Sequence, residues 1–137
     1  MLNGKILYVE DDKYSRELLN DLLEEANYQV ALTEAEDVAT ARVILREYKA
    51  DFDLLVLDMN LNDKHGATGA EIAMEFFDSP IERPEFLILS GEERPSYLKQ
   101  AIKLGAAAYL DKKALNSLIP HIRTLMLRRA LSPQRPG

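Results

Sequence analysis

The sequence predicts an α/β domain, a doubly wound five-stranded parallel sheet, on the strength of three observations. Unbroken apolar runs occur at Ile6-Leu7-Tyr8-Val9, Leu54-Leu55-Val56-Leu57, Phe86-Leu87-Ile88-Leu89 and Ala107-Ala108-Tyr109-Leu110. Runs of this kind, without polar alternation, suit strands covered on both faces. Segments with helical spacing alternate with strands five times through short connections, as repeated βα units require. Each run also ends in polar residues: Glu10-Asp11-Asp12, Asp58, Ser90-Gly91 and Asp111-Lys112-Lys113. In an open α/β sheet, ligands bind outside the C-terminal ends of the strands. Parallel pairing therefore gathers carboxylates, a hydroxyl and an ammonium on one edge.

The elements follow in order. After the first strand, Tyr14, Leu18, Leu19, Leu22, Leu23 and Ala26 recur at helical spacing, with Asp12 suited to cap the helix. A short second strand runs from Gln29 to Leu32. Thr33-Glu34-Ala35-Glu36 reads as a capping box with Thr33 as N-cap. The helix it opens is expected to bury Val38, Ala41, Ile44, Leu45 and Tyr48. After the third strand comes a polar loop over 60–68. Its 62–67 stretch lacks proline and is expected to move relative to the sheet. Ile72, Ala73, Phe76 and Phe77 mark a third helix, stopped by Ser79-Pro80. Pro95 suits the first turn of a fourth, whose apolar stripe is Tyr97, Leu98, Ala101, Ile102 and Leu104, with Gly105 as its stop. The last helix carries Leu118, Ile122, Leu125 and Met126, and tolerates Pro120 only near its start.

Composition narrows the function. The chain has 137 residues, a net charge of -6 and no cysteine. One domain of this length holds a real core. The acidic balance argues against a nucleic-acid surface. Without thiols there is no disulfide framework and no thiolate metal site, in keeping with a cytoplasmic location. No apolar run approaches the roughly 20 residues that span a bilayer, and there is no signal peptide.

The edge residues suit a hard divalent cation and a phosphoryl group. Mg2+ seeks six oxygens, usually one or two carboxylates with waters and phosphate. Asp11 and Asp58 can supply the carboxylates, and Glu10 can hold a water. A carboxylate beside such an ion can act as nucleophile toward phosphorus. Lys112 offers a point charge to phosphate, and Ser90 offers a hydroxyl.

Four stretches, Lys5-Ile6-Leu7-Tyr8-Val9-Glu10-Asp11-Asp12, Leu57-Asp58-Met59-Asn60, Ile88-Leu89-Ser90-Gly91 and Gly105 to Lys112, resemble the response-regulator receiver domains of two-component signalling. Each is weak alone; all four in order at strand ends are specific. They imply a flavodoxin-like fold with strand order 2-1-3-4-5 and five helices. A receiver would occupy 1–131, followed by a disordered tail or linker stub over 132–137. The resemblance implies Asp58 as phosphoacceptor, Asp11 as direct Mg2+ (or Mn2+) ligand with Glu10 acting through water, and the Asn60 backbone carbonyl as a further ligand. Ser90 and Tyr109 match the switch pair, Lys112 the phosphate-binding lysine, and Asn60 and Glu92 the positions that tune dephosphorylation. The implied partners are a histidine kinase or histidine phosphotransfer protein, and a downstream protein or second copy bound through helix 4, strand 5 and helix 5. Such a module is a switch that catalyses only its own phosphotransfer and autodephosphorylation.

The chain departs from the family pattern in three places. Lys113 stands where proline often follows the lysine, so the Lys112–Lys113 bond is either cis, at about 2.5–4 kcal/mol, or trans. Asn62 replaces a frequent proline. Thr68-Gly69-Ala70-Glu71 matches the usual Asp-Gly-x-Glu helix entry displaced by about three residues, which places an insertion in 62–67. His65 and His121 read as surface residues. Two other readings remain: a haloacid-dehalogenase-type phosphatase, which wants an acid where Asn60 stands, and a pseudo-receiver that never takes phosphate.

Overall fold

The structure is a computed structural model that describes residues 3–59, 69–76, 84–91 and 95–131. Its strands are β1 (Asn3–Val9), β2 (Gln29–Ala35), β3 (Leu54–Asp58), β4 (Glu85–Ser90) and β5 (Ala108–Asp111). They form one sheet in the order β2-β1-β3-β4-β5, every pairing parallel. The helices are α1 (Lys13–Glu25), α2 (Val38–Tyr48), α3 (Gly69–Phe76), α4 (Pro95–Leu104) and α5 (Leu118–Leu131). Short 3-10 segments cover Lys49–Asp51 and Lys112–Ser117.

Strand alternation divides the core into two layers. Ile6, Tyr8, Leu54, Val56, Leu87 and Leu89 face α1 and α5, meeting Leu19, Leu23, Leu118 and Ile122. Leu7, Val9, Leu55, Leu57, Phe86 and Ile88 face α2, α3 and α4, meeting Val38, Leu45, Ile72 and Ala101. Both faces are covered, which is why these strands carry no polar alternation. At the lower edge α5 lies directly on β1: a Cβ on Gly4 would overlap the end of the Met126 side chain.

The second βα junction differs from the sequence expectation. Thr33, Glu34 and Ala35 stay in β2, paired with Leu7, Tyr8 and Val9. Thr33 is therefore no N-cap. Asp37 is, its carboxylate accepting from the Thr40 N–H at 2.7 Å. β1 offers unpaired backbone groups up to Val9, and extending β2 satisfies them. Several helical residues taken as inward-facing also point out: Tyr14 on α1, Tyr48 on α2, and Leu98 and Ile102 on α4 are exposed, Ile102 by 69%. Ala101 faces the sheet in α4. Leu104 packs against the same cluster, so the side of α4 that faces the sheet is not the side that carries Leu98 and Ile102.

Other junctions match. Asp12 caps α1, accepting from the Ser15 N–H and hydroxyl; those bonds hold its carboxyl below the usual range. Gly105 ends α4 at φ 82. The Gly105 and Ala106 N–H groups bond back to Ile102 and Ala101, the paired arrangement of a helix stop with a left-handed residue. The 60–68 loop with His65, the end of the third helix at Phe77, the Ser79-Pro80 stop and the 132–137 tail lie outside the described residues.

Replacing the cap tests the corrected junction. Asp37→Ala should lower the urea-unfolding free energy by about 1 kcal/mol.

Candidate functional site

Four strand ends deliver the site. β1 runs directly into Glu10, whose N–H continues the pairing by bonding to Ala35 O at 2.9 Å. β3 ends at Asp58, and the Met59 N–H bonds to Leu89 O at 2.8 Å. β4 ends at Ser90. β5 ends at Asp111, immediately before Lys112. Glu10, Asp58 and Ser90 are buried. Asp11 is half-buried.

Lys112 reaches across from β5. Its Nζ lies 2.6 Å from Glu10 Oε1 and 3.0 Å from Asp58 Oδ2. Single carboxylate oxygens of Glu10, Asp11 and Asp58 all lie within 4.8 Å of one another. Three hard anionic donors so placed, with one ammonium as counter-charge, fit a divalent cation such as Mg2+ or Mn2+.

The electrostatics follow from burial. Burial pushes the Glu10 carboxyl up to about 8; a hydrogen bond with Asp58 acts the same way, and Lys112 opposes both. Burial works against the Lys112 ammonium, but its bonds to Glu10 and Asp58 outweigh that and raise its pKa. The Tyr8 hydroxyl, beneath Glu10, is driven far above its ordinary value by burial and then by the neighbouring carboxylates.

The lysine keeps this position without a following proline. No described peptide bond is cis. Unlike proline, Lys113 has an N–H, and the Asp111 carboxylate accepts it at 2.9 Å as the turn begins. The displaced helix entry is also in place. Gly69 opens α3 so close to Asp58 that a Cβ there would lie 2.4 Å from the Asp58 carbonyl oxygen. The chain thus returns to the acid at Gly69.

Ser90 and Tyr109 lie on the sheet face that carries α4, two residues apart in register, since Tyr109 pairs with Ile88 and Asp111 with Ser90. The Tyr109 hydroxyl is buried with no hydrogen-bond partner among the described residues. Asn60 and Glu92 lie outside the described residues, as do Glu93 and Arg94. His121 is exposed on α5.

Two residues around Glu10 escaped the sequence reading. Tyr8 read only as part of the first apolar run, and Arg16 carried no reading of its own. The signal for Tyr8 was its position two before Glu10, on the same strand face.

The family model described as the response regulator receiver domain matches residues 6–123. The chain belongs to that family. Receiver domains are the switch modules of two-component signalling, partners of histidine kinases or phosphotransfer proteins, with an acidic pocket for Mg2+ or Mn2+. Among curated proteins, the two-component response regulator ARR10 of Arabidopsis thaliana is 32% identical over 108 residues, 79% of this chain but 18% of that protein. The chain thus spans less than a fifth of the curated relatives it matches. Among solved structures, the phosphorylated cyanobacterial phytochrome response regulator RcpA superposes with a TM-score of 0.78 at 23% identity, covering 96% of this chain and 99% of that one. The Mn(2+)-bound form of response regulator Rcp1 gives 0.76 at 24%, covering 98% and 99%. No helix among the described residues is long and apolar enough to cross a membrane.

Two outcomes check this geometry. Gly69→Ala should cost about 1–3 kcal/mol in urea unfolding, because backbone must move beside Asp58. In metal-free buffer, Glu10 is more easily protonated folded than unfolded, where it titrates near 4.5. Its protonated form therefore favours folding fully below about 4.5, and that contribution is lost as pH rises through about 8. The unfolding midpoint of Glu10→Gln should gain on the unsubstituted protein from pH 5 to pH 8.5.

Proposed function

We propose that this chain is a receiver, folded over residues up to 131, that accepts a phosphoryl group on Asp58 from the phosphohistidine of a histidine kinase or phosphotransfer protein. The observation that carries the reading is the Lys112 ammonium lodged between the buried carboxylates of Glu10 and Asp58. Asp11 and Asp58 would hold Mg2+ or Mn2+ directly, with Glu10 through water and the Asn60 carbonyl as a further ligand. Rcp1, a protein of the same fold, is known in a Mn2+-bound form. Bound there, the ion would neutralise the carboxylates and draw charge from the phosphoryl oxygens.

The residues divide the work. An Asp58 carboxylate oxygen attacks phosphorus. Its O–P bond forms as the donor's P–N bond breaks, and the imidazole leaves with the electron pair and takes a proton. Lys112, already 3.0 Å from Asp58 Oδ2, donates to the new phosphoryl oxygens, and the Ser90 hydroxyl bonds a second. Asn60 and Glu92 set the rate at which water removes the phosphate. Ser90 moving toward the phosphoryl group opens space on the α4 face for the Tyr109 ring, whose hydroxyl has no partner among the described residues. That motion reshapes α4, β5 and α5, where Leu98 and Ile102 are exposed, and alters binding of a downstream protein or a second copy. The chain works as a cytoplasmic switch rather than a turnover enzyme, and no observation favours the phosphatase or pseudo-receiver readings.

With Mg2+ and a small acyl-phosphate or phosphoramidate donor, intact mass should rise by one phosphate, with the label acid-stable and base-labile. Asp58→Asn should take none; label persisting there would defeat the assignment. Lys112→Met should slow labelling roughly 100-fold. Beryllium fluoride should shift amide resonances in α4 and β5; changes confined to α2 and α3 would point to another output face.

A further inference from the structure

Glu10 is held by several groups that the proposed phosphotransfer does not itself use, among them the Asp12 N–H, which donates to its Oε2 at 3.5 Å. Its carboxylate Oε1 lies 3.4 Å from the Tyr8 hydroxyl. Its main-chain carbonyl accepts a 2.7 Å hydrogen bond from Arg16 Nη1. Both partners are built into the fold. Tyr8 is fully buried, its ring packed in the layer under α1 and α5. The Arg16 side chain is 13% exposed and reaches from the first turn of α1, its Nε 3.7 Å from Glu34 Oε2 on edge strand β2. With the Glu10 N–H bonded to Ala35 O, the turn that bears the acids is tied to α1 and β2 and is floored by a phenol.

We propose that Tyr8 and Arg16 are positioning residues for the cation site, keeping the Glu10 carboxylate with those of Asp11 and Asp58. The proposal rests on the reading above, that these three acids receive a divalent ion. Glutamate has one more rotatable bond than aspartate, so its carboxylate needs external anchors to stay in one place. Lys112 alone is a poor anchor. Its ammonium sits 2.6 Å from Glu10 Oε1 on a flexible stem, and it is the group that turns to the phosphoryl oxygens. A carboxylate held only by Lys112 would follow it. Tyr8 supplies a donor fixed by core packing. Arg16, whose planar guanidinium donates in two directions at once, fixes the peptide from which the Glu10 side chain departs. Groups standing behind metal ligands in this way commonly contribute 10- to 100-fold in metal affinity.

The test titrates Mn2+ calorimetrically into the unsubstituted protein, Tyr8→Phe, Arg16→Gln and Arg16→Lys. Urea midpoints without metal and the Mn2+ dependence of Asp58 labelling are recorded in parallel. If the unsubstituted protein neither binds Mn2+ nor takes label, the functional reading fails and this proposal goes with it. If it binds, Arg16→Gln should weaken Mn2+ binding by about 10-fold or more, Tyr8→Phe by a smaller factor, and Arg16→Lys should recover part of the loss. The Mn2+ needed for half-maximal labelling should rise by more than the label reached at saturation falls. Unchanged Mn2+ affinity in folded Tyr8→Phe and Arg16→Gln overturns the proposal, even with lowered urea midpoints, since a merely structural role produces that result. Should Arg16→Gln fail to fold, Tyr8→Phe, which keeps the ring, decides alone.

Discussion

The Lys112 ammonium between Glu10 and Asp58 is the interaction on which the architecture of the edge depends. Two carboxylates buried side by side repel each other, and burial adds to the cost of holding that charge. A cation from a third chain segment resolves the conflict. That cation can arrive only if β5 lies on the far side of β4 with its C-terminal end level with those of β1 and β3. The strand order β2-β1-β3-β4-β5, all parallel, provides this. The Asp111 side chain then turns the backbone at Lys113 so that the lysine points back across the sheet. The sheet and the charge cluster are therefore one design: the fold brings the charges together, and the pairing makes their burial tolerable.

Most of this was legible in the sequence, and the failures have physical causes. β1, β3 and β4 announce themselves because both faces are covered and apolar residues run without interruption. β2 is an edge strand, and its pattern of exposed, intermediate and buried residues weakens after Leu32. Thr33 and Glu36 happen to carry the chemistry of a capping box, and local chemistry cannot reveal that β1 still has backbone groups to satisfy. In α4, periodicity marks an apolar stripe but not which side of it faces in. The small residue Ala101 packs on the sheet, leaving Leu98 and Ile102 outside. Glu10, Asp11, Asp58, Ser90 and Lys112 were legible because strand ends are few and charged residues there stand out. Arg16 was not, because its contact with Glu10 depends on how α1 sits on the sheet, and Tyr8 passed for core because its ring packs there.

The two sheet faces separate two tasks. By alternation along the strands, Glu10 and Asp58 continue the face that carries α1 and α5, whereas Ser90 and Tyr109 continue the face that carries α4. The Lys112-bridged carboxylates lie on one side and Ser90 and Tyr109 on the other, with only the sheet between them. Asp58 and Ser90 stand at neighbouring strand ends, so the shortest link from Asp58 to the α4 face runs along the edge of the sheet and not through its close-packed layers.

The contact between Gly4 and Met126 also bears on how such a unit sits in a longer polypeptide. α5 descends across the sheet and meets the first strand at the edge farthest from Asp58. β3 alone separates the two edges by roughly 13 Å, at about 3.3 Å per residue. The start of the first strand and the later turns of the last helix are therefore neighbours, at the end of the sheet away from Asp58. Packing there fastens the start of the first strand to the last helix, at the end of the sheet opposite the charge cluster. The same unit could be spliced into a larger protein without prising its first strand from its last helix.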